Sequence, residues 1–198
     1  FSILAAGKSG VDTLEGLKGV EIGISEGTVI EYLTDRIVEY DLAIVENIAG
    51  DTSVGHSLCH AQAMEALSGT QTDDGARIIR TIGLELERIA NHVGDLGALS
   101  GDVAFLPPAN YCGRMRGDFL NMSLLLCGNR FGKGIVRPGG VRFPMTDEDR
   151  KVLAERINEL QPQVAHTIDL LFTTSSVRAR FEDCGTVSNE DAHHLGLV

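Results

Sequence analysis

Tryptophan is absent from this chain, and aromatic residues make up only 5% of it, so any core must be filled with aliphatic side chains. Cysteine is scarce too. Cys59, Cys112, Cys127 and Cys184 include no C-x-x-C pair, which excludes the zinc-ribbon and thioredoxin-type motifs and points to free thiols in a reduced, cytoplasmic chain. Lysine and arginine number 17 against 28 acidic residues, a net charge of −11, and so exclude an extended nucleic-acid surface. Arg114, Arg116, Arg130, Lys133, Arg137 and Arg142 gather in one region and read as solvated or salt-bridged. No apolar run approaches the roughly 20 residues of a membrane span, so a membrane link must come through partners. The N-terminus shows no basic stretch followed by an apolar run, as a secretory signal would. No G-x-G-x-x-G follows a strand-like segment, so nothing in the chain reads as a dinucleotide site. There is no internal repeat. The 198 residues read as one domain, 1–198, and a start at Phe1 rather than methionine is what a fragment of a longer protein would show.

What is present is mostly helical patterning. Residues 19–25 alternate as a strand, and 28–40 read as a helix. Residues 49–53 form a polar loop, from which Thr52 or Ser53 is expected to cap the next helix. The strongest helix follows Asp73-Asp74: Ile78, Ile82, Leu86, Ile89, Val93 and Leu96 recur every three or four residues as one apolar stripe. Pro107-Pro108 is expected to end that element. A further helix over 111–132 would turn Met115, Phe119, Met122 and Leu126 inward. Arg137-Pro-Gly-Gly-Val141 is a turn signal. Thr146 and Asp149 resemble a capping box opening a helix to about 175, which Pro162 should kink or divide. Ser188 starts a last short helix.

Two constellations could carry chemistry. His56, Cys59 and His60 lie one helical turn apart; a zinc-binding enzyme could use them, or the histidines are simply hydrogen-bonded on a partly buried helix. Glu85, Arg88 and His92 follow at steps of three and four, as a proton relay would or as helix-surface ion pairs do.

The run from Glu85 to His92, within RIIRTIGLELERIANHVGDLGAL (77–99), resembles the central helix of one family: the large, 49-kDa-type subunits of complex I (the NADH:quinone oxidoreductase) and of membrane-bound nickel–iron hydrogenases. VENIAGDTSVGHSLCHAQAMEAL (45–67), GIVRPGGVRFP (134–144) and CGTVSNEDAHHLGLV (184–198) are similar to other segments of it. The resemblance is patchy over 20–44 and good from about 45 onward. It implies an α+β, mostly α fold: a hydrogenase-large-subunit-like helical core with a small N-terminal β element. It further implies a subunit of a membrane-associated electron-transport complex, peripheral on the cytoplasmic side, beside a small iron–sulfur subunit and antiporter-like membrane subunits. NAD would be used elsewhere in the complex, and no cofactor would be bound directly, with quinone a candidate ligand.

The family comparison also shows what has been replaced. Ala49 and Thr52 stand where the hydrogenase loop has its first two nickel-binding cysteines, and Asn47 stands where it has arginine. Glu31 alone answers to an upstream R-G-x-E motif. The complex I pattern R-x-D-Y meets Asn47, Ala49 and Gly50, so its aspartate and tyrosine are missing, with Asp51 one or two positions away. The resemblance therefore assigns catalytic duties to His92, Glu85, Arg88 and Asp51. It assigns cofactor contacts to His56, Thr52 and Arg137, and no metal. A non-catalytic structural or coupling subunit is the alternative.

Overall fold

The computed structural model describes residues 40–197. The strand expected over 19–25, with Glu31 and, apart from Tyr40, the helix expected over 28–40, lies outside them. The described chain is mostly α-helical. Residues 40–45 are helical and lead through a loop to α1 (Ser53–Ser68), which ends where Gly69 turns left-handed at φ 70°. Next come α2 (Asp74–Asp102) and α3 (Leu106–Cys127). A two-stranded antiparallel sheet follows, β1 (Val136–Arg137) and β2 (Gly140–Val141), with Val136 opposite Val141 and Arg137 opposite Gly140. The chain continues through α4 (Asp147–Thr173), α5 (Ser175–Phe181) and α6 (Asn189–His194).

Two sequence expectations need correction. Pro107 and Pro108 do not end a helix: they lie in the first turn of α3, where a missing backbone N–H costs nothing because those donors have no intrahelical acceptor. The apolar stripe of α2 is narrower than its spacing suggests. Leu86 and Val93 are buried, but Ile78 is 58% exposed. A second line of α2 is buried instead: Ala76, Arg80, Gly83, Glu87 and Ala90, again at steps of four and three.

The starts of α2 and α4 are as the sequence reads. Asp73 accepts from the Ala76 amide at 2.9 Å to open α2. At α4 the box is reciprocal: the Asp149 amide donates to Thr146 Oγ1 at 3.1 Å, and the Thr146 amide donates to Asp149 Oδ2 at 2.9 Å. Replacing Thr146 with alanine should cost about 1 kcal/mol, measured as a fall in urea midpoint at constant slope. Pro162 does not divide α4; Leu160 on one side of it and Thr167 and Leu171 on the other are all buried.

The described residues group into two compact units. The first takes residues 40–87 and 120–149. Its core is Val54, Ala61, Ile135 and Val136, with Leu58, Ile79, Leu84 and Leu126 packed around it. The second takes residues 88–119 and 150–197. There α2 approaches α3 closely through small residues: a Cβ on Gly94 or Gly97 would lie 3.0 Å from Arg116 Cδ or Cys112 Cβ. Val93, Cys112, Met115, Val164, Ile168 and Leu171 line the apolar space between α2, α3 and α4.

A glutamate-fastened loop as candidate functional site

The loop before α1 is held by two glutamates, both in the first unit. Thr52 is not a side-chain cap, contrary to the expectation; its hydroxyl donates instead to Asp51 Oδ1 at 3.3 Å. The cap is supplied across 33 residues by Glu87, whose Oε2 accepts from the Val54 amide at 2.7 Å. Its Oε1 accepts from the Gly55 amide at 3.0 Å. A carboxylate at this end of a helix meets both orphan donors and the positive end of the helix dipole. Burial raises the proton affinity of Glu87, and the charge of Asp51 pushes the same way; the two amide bonds and the charge of His56 oppose them.

Glu46 fastens the other side. Its carboxylate accepts from the Gly134 amide at 2.7 Å, while its carbonyl accepts from Ser53 Oγ at 3.0 Å. Burial raises its pKa, against the Gly134 amide, Lys133 and Arg142. Where the family resemblance places an arginine, the Asn47 side chain receives the Lys133 ammonium at 2.6 Å.

His56 turns its Nδ1 to the Thr52 carbonyl at 2.8 Å. A carbonyl can only accept, so Nδ1 carries the proton and Nε2 is the basic ring nitrogen. Held this way, His56 does not join Cys59 and His60: among the described residues no three His, Cys, Asp or Glu side chains come together to hold a metal ion. The zinc-enzyme reading therefore finds no three-ligand cluster among the described residues. A nickel–iron centre does not fit either, because Ala49 offers no donor and the Thr52 hydroxyl and carbonyl are both engaged.

Arg137 enters through its backbone. Arg80, buried on α2, meets Glu65 of α1 with both nitrogens, Nη2 at 2.5 Å and Nη1 at 3.2 Å. The same guanidinium donates to the Arg137 carbonyl at 2.6 Å and the Gly140 carbonyl at 3.0 Å, and Glu65 accepts from the Gly139 amide at 2.7 Å. The hairpin is thus pinned to α1 and α2 by one buried ion pair. The Arg80 hydrogen bond holds the Glu65 carboxyl below the usual range, against burial.

Glu85, Arg88 and His92 share an exposed face of α2; Arg88 and His92 belong to the second unit, and Asp51, Thr52 and His56 to the first. Sequence reasoning missed Glu87, Glu46, Glu65 and Arg80. A signal for two of them was present, since Arg80 and Glu87 fall in line with Ala76, Gly83 and Ala90, small residues that mark a face pressed against a neighbour.

Comparison with known proteins adds relatives. Residues 102–198 match the family described as "Respiratory-chain NADH dehydrogenase, 49 Kd subunit". The membrane-bound hydrogenase subunit alpha of Pyrococcus furiosus is 25% identical over 78% of this chain and 36% of its own length. An NADH-quinone oxidoreductase subunit of Clostridium beijerinckii is 29% identical over 72% of this chain and 39% of its own. Hydrogenase-4 component G of Escherichia coli is 26% identical over 92% and 30%. The chain spans from about a third to about half the length of such relatives. Over residues 102–198 the chain matches the 49-kDa subunit family, and through its motifs and relatives it is similar as a whole to the large subunits of NADH-quinone oxidoreductases and membrane-bound hydrogenases, without cysteine at positions 49 and 52.

Proposed function

We propose that this chain is part of the large subunit of a membrane-associated, respiratory-type oxidoreductase, packing against a small iron–sulfur subunit and helping to form a cavity for quinone or protons. The family match over residues 102–198 carries this reading. Residues 49–56, the end of the loop and the first turn of α1, would line the cavity, presenting Asp51 and the His56 ring. With no thiolate at 49 or 52, this part of the chain would work by positioning and proton exchange, and nickel chemistry has no place in it. His92, with Glu85 and Arg88 on the exposed face of α2, would face the iron–sulfur subunit, where a protonatable imidazole couples cluster charge to proton uptake. Among the described residues no helix is long and apolar enough to cross a membrane. In this proposal the membrane is reached from its cytoplasmic side through antiporter-like subunits, and NAD, where the complex uses it, is handled by another subunit.

Native purification of the tagged full-length protein from gently solubilised membranes, with partners identified by mass spectrometry, tests the reading. Co-purification of an iron–sulfur subunit and antiporter-like membrane subunits is expected. Recovery of the chain alone from the soluble fraction would overturn it.

A further inference from the structure

Glu87 is a stranger choice of cap than its geometry first suggests. Threonine stands at the N-cap position and serine follows it, either of which can cap a helix from within, yet neither does so here. A carboxyl 9% exposed is brought from another helix, and it makes both its amide bonds at 2.7 and 3.0 Å. A neutral hydroxyl cap would do the same work at every pH. A buried carboxylate cannot.

We propose that Glu87 is a proton-binding site whose occupancy sets the position of residues 49–56. Ionised, both oxygens accept, and the Val54 and Gly55 amides are fixed. When a proton is taken up from solvent, one oxygen becomes a hydroxyl, a much poorer acceptor that has lost its charge, so one of the two amide bonds is weakened and the start of α1 loosens. Asp51, Thr52 and His56 move with it, because the Thr52 carbonyl is tied to both the amide and the ring of His56.

The charged groups acting on Glu87 come from this same segment, Asp51 opposing its charge and His56 favouring it. On α2 itself, Glu85 and Arg88 lie on the exposed side. Burial first, and then the charge of Asp51, therefore raise the pH at which Glu87 takes up its proton, against its amide bonds and His56. The sign follows. With a proton affinity raised by folding, Glu87 costs overall stability as pH rises through its folded midpoint, even as the loop becomes better fastened. The inference deepens the proposed role of the loop; its amide readout is independent of which partners are recovered.

Amide hydrogen exchange by NMR, corrected for intrinsic rates, tests it. The Val54 and Gly55 amides are followed against the Leu58 and Ala61 amides of the same helix between pH 8 and pH 4 (about four units, centred above the ordinary carboxylate range). In the wild-type protein their relative exchange should rise about tenfold or more as pH falls, the weakening of one charge-assisted bond. In Glu87→Gln it should be high and flat. In Asp51→Asn the wild-type transition should move to lower pH. A flat wild-type profile, or a Glu87→Gln protein as protected as wild type, would overturn the proposal. Should Glu87→Gln fail to fold, the wild-type profile and the direction of the Asp51→Asn shift still decide.

Discussion

Arg80→Leu should lower the stability of the protein by about 3–5 kcal/mol, the cost of leaving a buried charge without its partner. For a chain of this size that is roughly 6–20 °C in Tm. Arg80 is 4% exposed and Glu65 8%. Removing the guanidinium leaves the carboxylate without its ion pair and takes a donor from the Arg137 and Gly140 carbonyls, so the hairpin keeps its Gly139–Glu65 bond but loses its ties to α2. The double variant Glu65→Leu/Arg80→Leu separates pairing from packing. With no charge left to bury, it should regain much of the loss. Acid gives a second readout. Arg80 holds the Glu65 carboxyl below its usual range, so this pair contributes stability above the unfolded pKa and loses it as pH falls through the folded value. The double variant should lack that part of the acid sensitivity. Equal stability of the single and double variants would refute the account.

Gly132→Ala should be almost as damaging, about 2–5 kcal/mol, for an unrelated reason. Gly132 has φ +69°, where a side chain costs about 1–2 kcal/mol. Its added Cβ would lie 2.4 Å from Val54 Cγ2 and 3.4 Å from Ile135 Cδ1. Val54 is 1% exposed, and β-branched in a helix, so it has no rotamer to which it can retreat; overpacking adds about 1–3 kcal/mol. Gly69→Ala supplies the contrast. It has φ +70° but nothing within 4 Å of its Cβ, so it should show the backbone cost alone. Chemical denaturation of the two variants measures the difference, and equal losses would mean that Val54 yields freely.

The sequence made the helices legible because their signals are local. The repeat of Leu86 and Val93, the Thr146–Asp149 box and the Pro-Gly-Gly turn each lie within a few residues of what they specify. Ile78 shows where this reading overreaches: periodicity says which residues share a face, and only a neighbouring element decides how far along the helix that face is covered. The site was half legible. Asp51, Thr52 and His56 stand together in sequence and in space. Glu87 was hidden within the run E-L-E-R, where alternating charge reads as a solvated surface. Its partners are the amides of Val54 and Gly55, which have no side-chain identity to reveal them. Arg80 was hidden for the same reason, since two of its acceptors are backbone carbonyls some 60 residues away.

That separation bears on the order in which the protein comes together. Strands of two residues are far too short to persist as an isolated hairpin. The groups that hold this one are 57 to 74 positions apart along the chain, so a large loop must close before any of them is rewarded. The helices α1 and α2 can each begin forming from local contacts. The Arg137–Val141 segment has to wait for both, and it closes the first unit late, as a keystone that fits only once its two supports are standing.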